Sequence, residues 1–168
     1  QYDFGPLIVD PVMIAKGGAH LLTDEAISTV RTKLLPLADL VTPNLPEAEA
    51  LAEMTIKNNV DMKKAGQRLQ ALGAKNVLVK GGHFNDQKQA SDFVLLADGS
   101  SFWMSSPRID TKRTHGTGDT ISACITAELA KGVSMENAIR IGKAYVEATI
   151  RDDIQVGHGH GPLNHWAV

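Results

Sequence analysis

Three short apolar runs, each ending in turn residues, restrict the fold more than any other feature. They are Leu7-Ile8-Val9 before Asp10-Pro11, Leu40-Val41 before Thr42-Pro43-Asn44, and Val77-Leu78-Val79 before Lys80-Gly81-Gly82. Runs without polar alternation suit strands covered on both faces, the setting of parallel strands joined by helical crossovers. Between them, apolar residues recur at spacings of three and four. Ala26, Ile27, Val30, Leu34 and Leu37 follow a Thr23-Asp24 cap, a second stretch opens at Asn44-Leu45-Pro46-Glu47 and runs through Met54, and Asp61, Met62, Ala65, Leu69 and Leu72 close on Gly73. This alternation predicts an α/β fold. Asp92–Leu96 and Ser101–Ser105, joined across Asp98-Gly99, predict a hairpin and so an antiparallel edge on an otherwise parallel sheet. Polar Arg108–Gly118 reads as a loop, and Thr120–Lys131 and Met135–Arg151 read as helices split at Gly132. There is no internal repeat and no linker long enough to divide two domains.

Composition narrows the partners. The chain has 168 residues, the size of one domain, and 43% hydrophobic with 21% charged residues is ordinary globular chemistry. Seventeen Lys and Arg against 19 Asp and Glu leave a formal charge of -2, with no basic patch for nucleic acid or for a membrane surface. The expected partner is a small molecule. A single cysteine, Cys124, excludes a disulfide framework and fits a reducing cytoplasm. No apolar run reaches the ~18 residues of a membrane span. The start at Gln1 is neither a signal peptide nor an initiator Met, so the chain reads as part of a longer protein.

The strongest chemical signal is Thr114-His115-Gly116-Thr117-Gly118-Asp119-Thr120, a glycine-rich turn running into an apolar helix. The first amides of a helix have no intrahelical acceptor and sit at the positive end of its dipole, so an anion there is stabilised. Asp119 would stand beside such an anion and could take a proton from an attacking hydroxyl. Anion cradle plus base is what phosphoryl transfer to an alcohol requires. Equally, Asp119 could simply cap the helix and the glycines make a tight turn; spacing leaves both readings open. Other nucleotide signatures fail: Gly142-Lys143 is followed by Ala144, so there is no P-loop, and Gly157-His158-Gly159-His160-Gly161 follows a helix rather than a strand. The protein-kinase motifs are absent as well.

Further candidates end the predicted strands, where open α/β sheets place ligands. Asp10 could hold a magnesium water shell or merely form an Asp-Pro turn. Asn44 and Glu47 have the spacing of a capping box, with magnesium coordination by Glu47 as the functional alternative. Lys80 could be a solvated lysine or the cation that neutralises phosphate oxygens. His158, His160 and His165 lack the acidic or cysteine neighbours of a metal site, Cys124 reads as packing, and Trp103 and Trp166 are isolated aromatics.

Taken together, Val9-Asp10-Pro11-Val12-Met13-Ile14-Ala15-Lys16, Val41-Thr42-Pro43-Asn44-Leu45-Pro46-Glu47-Ala48-Glu49, Val77-Leu78-Val79-Lys80-Gly81-Gly82-His83, Thr114–Gly118 and Gly159-His160-Gly161-Pro162-Leu163-Asn164-His165 resemble the hydroxymethylpyrimidine/phosphomethylpyrimidine kinases of thiamine biosynthesis. The segments occur in family order across nearly the whole chain. The resemblance implies a ribokinase-like three-layer α/β/α fold with a mostly parallel central sheet and an antiparallel edge hairpin. It also implies ATP and Mg²⁺, used to phosphorylate 4-amino-5-hydroxymethyl-2-methylpyrimidine or its monophosphate.

Carried over by position, the anion hole falls on Gly116, Thr117 and Gly118, and Lys80, Asn44, Thr117 and Gly118 contact the nucleotide; Asp119, which follows, is chemically competent as the base. Asp10 and Glu47 match the magnesium-associated acids. Pyrimidine kinases of this type mostly resemble G-T-G-C, whereas Asp119 makes the G-T-G-D of pyridoxal and sugar kinases, so a pyridoxal kinase is the closest alternative. Family members are longer, about 250–300 residues in one large domain. Residues 1–168 then correspond to the C-terminal portion of a single kinase domain whose opening strands fall outside the chain, leaving the sheet edge beside Leu7–Val9 exposed. A non-catalytic nucleotide-binding or assembly fragment is the alternative of another class. The resemblance also implies a cytoplasmic homodimer, and Arg108–His115 is the candidate lid.

Overall fold

The computed structural model describes residues 5–13, 21–82, 89–109, 111, 114–152, 154, 156 and 161–167. They form two compact units, 1–107 and 108–168.

The first unit is built on a five-stranded sheet in the order β1 (Ile8–Val9), β2 (Leu40–Val41), β3 (Asn76–Val79), β4 (Gln89–Leu95), β5 (Ser101–Pro107). β1, β2 and β3 are parallel, with Val9 opposite Val41 and Val41 opposite Val77. β4 and β5 form the expected antiparallel hairpin, longer at its open end than the sequence pattern indicates. The apolar runs behave as buried parallel strands should: Leu40, Val41, Val77, Leu78 and Val79 are all fully buried. β1 is one residue shorter than its apolar run, because Leu7 is 40% exposed and its amide turns to the Asp39 carboxylate.

Val41, Val77, Val79, Phe93 and Leu95 share a core with α2 (Leu45–Ala52) and α3 (Asn59–Ala71). Close approach of α3 depends on Gly66, where a Cβ would lie 2.9 Å from the Phe93 ring. Thr23, Asn44 and Asn58 cap α1 (Asp24–Thr29), α2 and α3 by accepting from the third residue on.

In this unit α1 and α2 depart from their apolar spacing. α1 ends at Thr29 and continues as a π-turn over Val30–Leu34 and a 3-10 turn over Leu35–Leu37. Pro36 has no amide to donate, and the Thr29 and Thr32 hydroxyls bond back to the Glu25 and Ser28 carbonyls, so the regular ladder stops early. α2 stops at Ala52 rather than Met54 because Glu53 takes a left-handed φ of 49°, while Arg68 caps the Ala52 and Glu53 carbonyls.

The second unit holds α4 (Thr117–Ala130) and α5 (Met135–Arg151), joined through Gly132 at φ 86°. They meet at Gly142, where a Cβ would come within 2.8 Å of Ile125. α4 begins three residues before the expected Thr120: Gly116 adopts φ 85°, which only glycine enters readily, and the Thr120 amide already donates to the Gly116 carbonyl at 2.9 Å. Among the described residues, no helix is long and apolar enough to cross a membrane.

Candidate functional site

Most of the candidate residues of the first unit follow directly on the carboxyl ends of its parallel strands. Asp10 follows β1, Thr42 and Asn44 follow β2, and Lys80 follows β3, its amide donating to the Pro43 carbonyl at 2.8 Å in a bridge beside Asn44. Here the backbone leaves the sheet and side chains from adjacent strands converge.

Two donors meet on one oxygen of Asp10. Lys80 Nζ lies 2.8 Å from Asp10 Oδ1, and the fully buried Thr42 hydroxyl donates to the same atom at 2.9 Å. The Lys80 and Asp10 side chains are 18% and 14% exposed, so the pair is screened weakly but still reaches solvent. Thr42 lies inside a quoted motif, yet no sequence signal ties its hydroxyl to an acid 32 residues away.

Asn44 and Glu47 form a complete capping box: the Glu47 amide donates to Asn44 Oδ1 at 3.0 Å, and the Asn44 amide to Glu47 Oε2 at 2.8 Å. The structural reading of that spacing is thus realised, and it coexists with an unusual environment. Glu47 is only 3% exposed. Burial pushes its carboxyl above the usual range, against the Asn44 amide and the Lys80 ammonium, while the nearby Asp10 charge raises it further. A divalent cation would relieve both effects, and two carboxylates with water and phosphate oxygens are the donor set Mg²⁺ prefers. Among the described residues no group of three or more His, Cys, Asp or Glu could hold a metal, so any magnesium here needs oxygens from water or substrate.

The Lys80-Gly81 backbone is held from the far side. Gly81 N–H donates to the buried Asp92 carboxylate at 2.8 Å, and a Cβ on Gly81 would fall 1.9 Å from the Ser91 carbonyl. Only glycine therefore fits after Lys80. Beside it opens a cleft of about 490 Å³ lined by Asn59, Val60, Lys63, Ser91, Trp103 and Ser105, none of them a candidate residue.

The second unit carries Gly116, Thr117, Gly118 and Asp119. Gly116 is the N-cap of α4 and offers no side-chain acceptor. The Thr117, Gly118 and Asp119 amides occupy the first three helical positions and have no carbonyl one turn back. The Thr117 hydroxyl donates to the Thr114 carbonyl at 3.1 Å, and the space where a Gly116 Cβ would stand is open. Asp119 is exposed in the first turn. It is not the cap, since the helix enters through Gly116. Peptide nitrogens without an intrahelical acceptor at a positive helix end, beside open space at Gly116, are donors of the kind that suit a phosphate.

His165 Nε2 lies 3.1 Å from the Thr120 hydroxyl. His158 and His160, and part of the candidate lid, lie outside the described residues. Burial and the Glu128 carboxylate push the Cys124 thiol up, the wrong direction for a nucleophile.

Residues 1–164 match the sequence profile of a family described as phosphomethylpyrimidine kinase. The chain is 54% identical over 166 residues to the hydroxymethylpyrimidine/phosphomethylpyrimidine kinase of Haemophilus influenzae, covering 98% of this chain and 62% of that protein. Among solved structures, Bacillus subtilis pyridoxal kinase in an ADP complex superposes with a TM-score of 0.85 at 38% identity, over 95% of this chain and 60% of that one. Staphylococcus aureus pyridoxal kinase in complex with AMP-PCP gives 0.87 at 32% identity, over 96% and 58%. These neighbours share the α/β class seen here. The chain spans about three fifths of the length of such curated relatives.

Proposed function

The chain belongs to the phosphomethylpyrimidine kinase family, and from that premise we propose that it carries the phosphate-handling and proton-transfer residues of an ATP-dependent kinase of 4-amino-5-hydroxymethyl-2-methylpyrimidine or its monophosphate, in thiamine biosynthesis. The observation that carries this reading is the entry to α4, where Gly116 supplies no side-chain cap for the first amides of the helix and Asp119 is exposed in the same turn. Residues 1–168 are then a portion of one kinase domain.

In the reaction, the hydroxymethyl oxygen forms a bond to the γ-phosphorus of ATP, the bond from that phosphorus to the bridging oxygen breaks, and ADP leaves with the electron pair. Asp119 takes the hydroxyl proton. The Thr117, Gly118 and Asp119 amides hold negative charge on the phosphoryl oxygens, a preorganised arrangement that needs no reorientation during transfer. Lys80, held by Asp10 and Asn44's bridge, neutralises phosphate charge. Mg²⁺, when bound, would supply charge neutralisation beside Asp10 and Glu47.

Coupled ATP consumption on the whole protein tests this, with hydroxymethylpyrimidine, its phosphate and pyridoxal as acceptors. Turnover with either pyrimidine is the expected result. Turnover with pyridoxal alone would move the assignment to a pyridoxal kinase, a reading favoured by Asp119 and by the solved neighbours. No turnover with any acceptor would leave a nucleotide-binding module. Sedimentation of the same sample reads the homodimer that the family resemblance implies.

A further inference from the structure

The proposed transfer chemistry gives no role to the C-terminal motif, yet within the second unit residues 161–167 are tied to the turn that the proposal uses. Leu163 and Ala167 are 5% and 3% exposed. The Asn164 amide donates to the Thr149 carbonyl at 3.3 Å, its side-chain amide to Asp152 at 3.0 Å, and the Tyr145 hydroxyl to the His165 carbonyl at 2.7 Å. These bonds fix the segment against α5. From there His165 Nε2 reaches the hydroxyl of Thr120 at 3.1 Å.

Thr120 is the residue whose amide closes the first turn of α4 on the Gly116 carbonyl. A helical serine or threonine hydroxyl commonly bonds back to the carbonyl four residues earlier, which bends the helix. Ser122 does so to Gly118 at 3.1 Å and Thr126 to Ser122 at 2.8 Å. For Thr120 the carbonyl four residues earlier is Gly116's, which accepts the Thr120 amide at 2.9 Å. The Thr120 hydroxyl pairs with the imidazole, a contact from outside the helix that ties its first turn to the C-terminal segment.

We propose that His165 is a positioning residue for the anion turn, acting through Thr120 to hold the Thr117, Gly118 and Asp119 amides in the orientation that phosphoryl transfer uses. The inference rests on the kinase reading of that turn. His165 itself touches no reacting atom.

The test compares His165→Leu, His165→Gln, whose amide can reach the position of Nε2, and the near-isosteric Thr120→Val, all in the whole protein. His165→Leu and Thr120→Val should each lower kcat about tenfold, because small displacements of preorganised groups are felt mainly in the transition state. KM for the pyrimidine should change less than about twofold, His165→Gln should recover most of kcat, and the His165→Leu/Thr120→Val pair should be no worse than the poorer single variant. Amide hydrogen exchange at Thr120 should quicken about tenfold in His165→Leu and not in His165→Gln. Parental kcat in His165→Leu, a His165→Gln variant as impaired as His165→Leu, or multiplicative losses in the double variant would overturn the proposal. If the parent protein consumes no ATP with any acceptor, the kinase reading fails separately. Unchanged Thr120 exchange in His165→Leu overturns the brace in either case.

Discussion

The ammonium of Lys80 lies 2.8 Å from Oδ1 of Asp10, so an ion pair joins the ends of β3 and β1 across the intervening β2. The hydroxyl of Thr42, at the end of that middle strand, shares the same oxygen. One acceptor atom therefore registers the ends of three strands, and the pair is as much a part of the sheet as of the site.

Replacing one member alone should uncover the other. Removing one partner of a fully buried pair costs about 3–5 kcal/mol, and the residual exposure of this pair reduces that to about 1–3 kcal/mol. Lys80→Met and Asp10→Asn should each lower the urea midpoint accordingly, while the double variant recovers much of the loss. Phosphotransfer should stay low in all three. A double variant whose loss equals the sum of the singles would show that the charges do not interact.

Asp119→Asn should reduce turnover by about 10²–10⁴ if the carboxylate is the general base. Because Asp119 is exposed, its stability effect should be limited to the lost helix-dipole attraction, about 0.3–1 kcal/mol. Near-parental turnover in this variant removes Asp119 from the mechanism.

Glu47 titrates above the ordinary glutamate range, principally because it is buried. A raised carboxyl pKa in the folded state means that protonation favours folding. This contribution is complete below the unfolded-state value and disappears as pH rises through the folded value. Glu47→Gln should accordingly be more stable than the parent near neutrality, with the difference closing on acidification. Magnesium demand runs in the opposite sense. On the proposed magnesium role, the concentration for half-maximal activity should rise as pH falls through the Glu47 titration, and Glu47→Gln should weaken magnesium affinity, raising that concentration about ten- to hundredfold at neutral pH. Chemical unfolding and magnesium titrations at several pH values read the two effects separately.

Two glycines separate packing from turn geometry. Gly142→Ala places a methyl 2.8 Å from Ile125 and 3.3 Å from the Ile121 carbonyl, so overpacking should destabilise the second unit by about 1–3 kcal/mol. Gly116→Ala meets nothing within 4 Å but must hold φ 85°, a strain of about 1–2 kcal/mol. The first should lower thermal stability with turnover per folded molecule preserved. The second should impair turnover out of proportion to its stability loss.

Local physics made much of this legible in the chain. The buried runs of β1, β2 and β3, the hairpin across Asp98-Gly99 and the Asn44–Glu47 box each depend on residues a few positions apart, and all were readable. The misplaced start of α4 has a local cause too. The apolar pattern begins at Thr120, but the helix enters where Gly116 can turn left-handed, and a polar first turn hides that. In α1, the apolar spacing carried the expected helix past Pro36, where the missing amide alters the hydrogen bonding of the preceding turn.

By itself the sequence determined the element types, the glycine corner at Gly116 and which charged residues stand at strand ends, since these follow from periodicity and backbone stereochemistry over a few residues. Only the tertiary structure decided the partnerships: Thr42 with Asp10 over 32 positions, Lys80 with Asp10 over 70, and His165 with Thr120 over 45. Spacing carries no information at such distances. The strand register that sets Val9 beside Val41 and Val41 beside Val77 brings the first two together, and the seating of the C-terminal segment on α5 produces the third.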